Sequence, residues 1–114
     1  MLTKDNLRGW GANVDEGMAR CLNNEAFYLK LVNKGIQDPA FGKLQAACES
    51  GDLDGAFDAA HCLKGVMANL ALTPILQPVE KITELLRKRT AMDYGPLLTE
   101  IDGARASLVA LIEG

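Results

Sequence analysis

Apolar residues recur at spacings of three and four along the whole chain, and no segment alternates apolar with polar residues at period two. That pattern confines the chain to helices, because a helix gathers residues three and four apart on one face whereas a half-buried strand needs alternation. Ile75, Val79, Ile82 and Leu86 make the clearest stripe. Leu97, Ile101, Leu108 and Leu111 or Ile112 make the last one. Phe27, Tyr28, Leu31 and Val32 share a face earlier on, as do Phe41, Leu44, Ala47 and Cys48.

Helix boundaries follow from caps and breakers. Thr3 to Gly11 is a short helical segment that Gly9 and Gly11 would interrupt. Asn13 or Asp15 caps a second helix that runs to about Leu22 and is weakened by Gly17. Asn23-Asn24 is a break, with Asn24 capping a helix from Glu25 that Gly35 stops. Asp38-Pro39 combines a capping acceptor with proline at the first helical position. Ser50-Gly51-Asp52 is both a stop and the next cap, and a central helix follows from Leu53 to about Ala71. Thr73-Pro74 repeats the cap-then-proline signature. Pro78 conflicts with a regular helix from Thr73, so that helix either kinks there or begins at Gln77. Asp93 and Pro96 open the last helix.

Short connections between long helices favour antiparallel neighbours. The expected fold is all-α: an antiparallel up-and-down four-helix bundle with one or two extra N-terminal helical segments. No linker, repeat or low-complexity stretch divides residues 1–114, so they read as a single domain.

Composition narrows the function. A net charge of −3 with no polybasic stretch argues against nucleic acid or an anionic membrane as partner. No apolar run approaches the roughly 20 residues of a membrane span, and Met1 to Asn6 contains no signal-like apolar segment. Cys21, Cys48 and Cys62 are an odd, scattered set, which suits neither a disulfide framework nor zinc spacing. A reduced, cytoplasmic setting is expected.

The only histidine, His61, lies in the central helix. At about 100° per residue, Leu70, Leu63, Ala59, Val66 and Ala56 gather opposite it, flanked by Met67 and Ala60. That wide apolar face belongs in the core. His61 shares the other face with Asp54, Phe57, Asp58, Lys64, Gly65 and Ala68. Asp54 and Asp58 read as ordinary solvated residues. An exposed neutral imidazole has a ring nitrogen free to act as a nucleophile. Lys64, one turn away, can bring its ammonium to an anion on the ring. Gly65 costs the helix about 1 kcal/mol relative to alanine but clears bulk beside the imidazole, and Ala68 keeps the next turn small. The chain has no second histidine, no P-loop and no Gly-rich nucleotide loop.

His61-Cys62-Leu63-Lys64-Gly65, followed by Asn69-Leu70-Ala71, resembles the motif of the histidine-containing phosphotransfer (HPt) domains of bacterial phosphorelays. Ala46-Ala47-Cys48-Glu49-Ser50-Gly51-Asp52 and Ala59-Ala60 upstream are also similar, and the likeness runs from about Leu22 to Arg89. The resemblance implies that His61 accepts a phosphoryl group from a receiver-domain aspartate or a kinase and passes it to another receiver aspartate. It implies a carrier without kinase activity of its own. Lys64 and Gly65 match positions that assist and accommodate the phosphoryl group. Ala68 and Phe57 share their face as phosphoryl-assisting or docking candidates. No cofactor is expected in this chain, since the partner receiver would bring magnesium. The implied partners are response-regulator receiver domains and a hybrid sensor histidine kinase, met by a monomer. The start at Met1 favours a freestanding protein.

Three positions depart from the family. Val66 follows the glycine where a small residue is common. Ala71 replaces a common glycine and bears on how the central helix ends. Thr83 stands where some relatives carry a glutamine near the histidine, which leaves a hydrogen bond to His61 open.

Two other functional classes compete with this one. A non-catalytic helical module would bind a receiver or kinase without transfer. An enzyme using His61 as a base would need a nucleophile or metal cluster that the sequence does not offer. Phe57 either meets a partner or folds back onto the bundle. Trp10 and Leu7 cap the bundle or join a docking patch. Cys62 is a filler residue or a redox group near His61. The run Arg87-Lys88-Arg89 reflects solvation and the helix dipole.

Overall fold

Seven helices and no strand make up the computed structural model, which describes all residues from Met1 to Gly114. They are α1 (Lys4–Trp10), α2 (Val14–Arg20), α3 (Glu25–Gly35), α4 (Ala40–Ser50), α5 (Leu53–Asn69), α6 (Thr73–Arg87) and α7 (Gly95–Glu113). Side-chain caps start many of them. Thr3 and Asn6 form a reciprocal capping box on α1, and the side chains of Asn13, Asn24 and Asp52 accept backbone N–H groups at the starts of α2, α3 and α5. α4 and α7 lack a side-chain cap: Pro39 is itself the cap of α4 and not its first residue, and Tyr94 is that of α7, with Asp38 Oδ1 accepting from the Ala40 N–H and Asp93 Oδ1 from the Gly95 N–H, each at 2.8 Å, from one residue further out. Gly9 does not interrupt α1, which Gly11 caps.

Helices α4 to α7 lie side by side with alternating direction. Phe57, early in α5, meets Arg87 at the end of α6. Phe41, at the start of α4, meets Arg105 in the second half of α7. Between α4 and α5, Gly51 turns the chain in a left-handed conformation at φ 77°, which glycine adopts without strain. The stripe Ile75, Val79, Ile82 and Leu86 is wholly buried, and Leu97, Ile101 and Leu108 of α7 are buried with it. All seven helices contribute to one apolar core, from Leu7 to Leu108.

Helices α1 to α3 precede these four. Long-range bonds tie α2 and α3 to the bundle. The Tyr28 hydroxyl donates to the Leu70 carbonyl at 2.8 Å, and Arg105 Nε donates to the Ile36 carbonyl at 2.7 Å. The Asn13 N–H donates to the Ala71 carbonyl at 2.9 Å. Gly17 is the residue that lets Tyr28 in, since a Cβ there would stand 2.5 Å from the ring. Burial, with Cys21 adding to it, pushes the Tyr28 phenol up to about 12.

Several local expectations change. Phe27, placed on the apolar face of α3, is 49% exposed, because the buried side centres on Tyr28, Val32 and Gly35. Thr73 is the first residue of α6 and not its cap. The cap is Leu72, which makes no side-chain bond. The reason lies in the turn before it. Ala71 ends α5 in the left-handed region at φ 57°, with Leu72 N–H bonded to the Met67 carbonyl and Ala71 N–H to the Ala68 carbonyl. This Schellman arrangement makes Leu72 the end of one helix and the start of the next, so no position is left for a separate cap. Ala71 therefore performs the glycine-like turn at a cost of about 1–2 kcal/mol. α6 runs without a break from Thr73 through Pro78, which is buried inside it.

Candidate functional site

α5 presents two faces, as its apolar spacing predicts. Ala56, Ala60, Leu63 and Met67 are wholly buried, and Ala59 and Leu70 nearly so. His61, Asp58, Cys62 and Gly65 are exposed. Val66, assigned to the core, is only half-buried. It stands at the edge of the apolar arc and lines a groove of about 830 Å³ with Leu31, Gly35 and Gly65.

The imidazole of His61 reaches into solvent with Phe57 as its aromatic neighbour. The ring centroids are 5.7 Å apart and tilted by 56°. Helical spacing of four residues places Phe57 one turn before the imidazole and Gly65 one turn after it. Neither His61 nor Lys64 pairs with a carboxylate. All five ion pairs of the protein belong to Arg8, Arg20, Arg87 and Arg89. The half-buried Lys64 therefore keeps its charge available on the His61 side of the helix.

A Cβ added to Gly65 would meet nothing within 4 Å. The fold itself has no need of a glycine there. Gly9, Gly42 and Gly103 are equally open, so openness alone marks no site. What distinguishes Gly65 is its place beside the exposed imidazole. Ala68 is half-buried, and its carbonyl is taken by the Arg20 guanidinium, which also reaches the Asn69 carbonyl at 3.4 Å. Glu16 holds that arginine in place. The C-terminal end of α5 is thus closed by a cation from α2, a favourable partner for the negative end of the helix dipole.

Phe57 has neighbours on both its sides. It is half-buried, packs against the core, and carries the Arg87 guanidinium at 5.1 Å and the Arg89 guanidinium at 5.9 Å from its ring centroid. Sequence reasoning missed this cluster. Arg87 and Arg89 read as solvated helix-end charges, yet both extend over the ring next to His61. Arg87 also meets Glu84 at 3.3 Å, and Arg89 pairs with Asp54, whose side chain stays 79% exposed as a solvated residue. The one available signal was Phe57 itself, an aromatic residue on the polar face.

Thr83 does not turn to His61. It is wholly buried, and its hydroxyl donates to the Val79 carbonyl at 2.6 Å. Leu7 is wholly buried and Trp10 packs half-buried on the core. The Cys62 thiol is free and exposed. No three His, Cys, Asp or Glu side chains come together as a metal site. No helix is long and apolar enough to cross a membrane.

The sequence matches the family model for the Hpt domain over residues 38–112, which spans α4 to α7 and includes His61. No curated protein matches the chain, and no solved structure does.

Proposed function

The chain belongs to the Hpt domain family, whose members carry phosphoryl groups on histidine in two-component phosphorelays without being kinases, and on that premise we propose that His61 is the carrier residue here. The observation that carries this reading is the exposed imidazole in the middle of α5, opposite the buried face of Ala60, Leu63 and Met67.

The proposed chemistry is one in-line exchange. A ring nitrogen of His61 attacks the phosphorus of an aspartyl phosphate on a partner receiver. The N–P bond forms as the O–P bond breaks, the aspartate leaves as a carboxylate, and the proton of the other ring nitrogen can pass to water. The receiver brings magnesium, which offsets charge on its own carboxylates and the moving phosphoryl group. This chain supplies the nucleophile, the Lys64 ammonium one turn away, and the cleared surface at Gly65. The reverse exchange hands the group to a second receiver. A hybrid sensor kinase is the proposed upstream source, and the carrier acts as a monomer in the cytoplasm.

Incubation with a phosphorylated receiver domain tests the proposal. The expected label is acid-labile and alkali-stable, and is absent from His61→Gln. Equal labelling of that variant overturns the assignment.

A further inference from the structure

Resting on the reading of His61 as phosphoryl carrier, we infer that Arg89, stacked on Phe57, is a recognition residue that steers a carboxylate-rich partner surface onto the imidazole. Three observations meet at this residue.

The first is its backbone. Arg89 follows the last turn of α6 with φ 54°, in the left-handed region. Its N–H bonds the Leu86 carbonyl and the next N–H bonds the Leu85 carbonyl, the Schellman pattern that glycine ends most easily. An arginine is unfavourable there, and such strain is tolerated where the side chain is used. Leu22 and Asn23 share the strain in an exposed turn, and Ala71 shares it inside the core. Among these four, Arg89 alone carries a cation.

The second is where the side chain goes. It arches back over Phe57 at 5.9 Å, beside Arg87 at 5.1 Å, and Phe57 is the aromatic neighbour of His61. Two guanidinium groups thus gather on the ring next to the imidazole, with Lys64 on the following turn, on a chain whose net charge is −3. The carboxylates on the same side are Asp54, Asp58 and Glu84. Asp54 and Glu84 are engaged with Arg89 and Arg87.

The third is how the arginine is held: its guanidinium donates to the Leu86 carbonyl at 2.9 Å, while its pair with Asp54 lies in water. The Arg89 side chain is 49% exposed and that of Asp54 is 79% exposed. A pair in water at that level holds little energy and exchanges readily. An incoming carboxylate can take the place of Asp54 while the Leu86 carbonyl and the Phe57 ring keep the guanidinium positioned. The partner chemistry that fits is a protein whose phosphoryl-bearing aspartate lies among other carboxylates. Rim charges of this kind act on the association rate and its salt dependence.

The test measures second-order transfer to His61 from a phosphorylated receiver domain that labels the wild-type protein, at low and high salt. Arg89→Gly should slow transfer about fivefold at low ionic strength, and the deficit should close near 1 M salt, where the screening length is about 3 Å. Its melting temperature should stay within about 4 °C of the wild type, since glycine relieves the left-handed backbone while the bond from the guanidinium to the Leu86 carbonyl is lost. Asp54→Asn, which releases the arginine, should quicken transfer at low salt. Lys4→Gln, removing a charge from α1, controls for net charge and should leave the rate unchanged. Arg89→Gly with wild-type rates at low salt overturns the inference. So does a salt-independent loss accompanied by a melting temperature lowered by more than about 4 °C, which would mark Arg89 as a structural staple. Wild-type protein that takes no label faults the His61 reading itself, an outcome distinct from either.

Discussion

Gly65→Ala should make the protein more stable and worse at its proposed task. Gly65 is the thirteenth of the seventeen residues of α5, well inside the helix. A Cβ there meets nothing within 4 Å, so alanine brings no clash. The gain is then the helix-propensity difference, about 1 kcal/mol. For a chain of this size that raises the melting temperature by about 4 °C. The same methyl stands one turn from the imidazole, where a partner aspartate must approach within bonding range. A displacement of about 1 Å in such a reaction costs on the order of a hundredfold in rate. A ten- to hundredfold slower single-turnover transfer is therefore expected, with the melting temperature raised. Gly42→Ala in α4 and Gly103→Ala in α7 are matched controls, since each is equally open. They should stabilise similarly and leave transfer unchanged. Gly65→Ala protein that transfers at the wild-type rate would refute the reasoning that the glycine clears a docking path. A lower melting temperature would refute the claim that the fold does not need it.

Two further perturbations address the frame around the site. Leu22→Gly should stabilise by about 0.5–1 kcal/mol in chemical denaturation, because Leu22 holds a left-handed φ of 55° while 91% exposed, and the relieved strain exceeds the entropy glycine adds to the unfolded chain. The Tyr28 phenol is raised from 10.0 to about 12 by burial, so the unfolded chain loses this proton first as pH rises. Its contribution is complete below pH 10 and is lost between about 10 and 12. Each pKa unit is worth about 1.4 kcal/mol, so the alkaline loss is on the order of 3 kcal/mol. Tyr28→Phe should remove that dependence from urea titrations across this window. It should also cost about 1–2 kcal/mol at neutral pH for the orphaned Leu70 carbonyl.

What the sequence disclosed, and what it withheld, follows from distance along the chain. Helix starts were legible at Asn24 and Asp52, because cap and capped N–H lie three residues apart. Thr73 misled because a shared residue, Leu72, ends one helix and begins the next, and only the backbone conformation of Ala71 reveals that. The exposed position of His61 was legible because a helical wheel needs no knowledge of neighbours. The wheel failed at Val66, on the edge of the apolar arc, where the groove by Leu31 and Gly35 decides burial. The Phe57, Arg87 and Arg89 cluster depends on the register between α5 and α6, which apolar spacing leaves free by several residues. The bonds from Tyr28 to Leu70 and from Arg20 to Ala68 join groups 42 and 48 residues apart, with no local pattern to announce them. Gly17 looked like a flaw in α2 until the Tyr28 ring was seen against it.

The central claim is that His61 forms a phosphoramidate. Phosphorus NMR of the protein after incubation with a phosphorylated receiver domain tests it most directly. The account predicts a phosphohistidine resonance that survives alkali, vanishes in mild acid, and is missing from His61→Gln. A phosphorylated species that persists in His61→Gln, or a phosphate ester stable to acid, would contradict it.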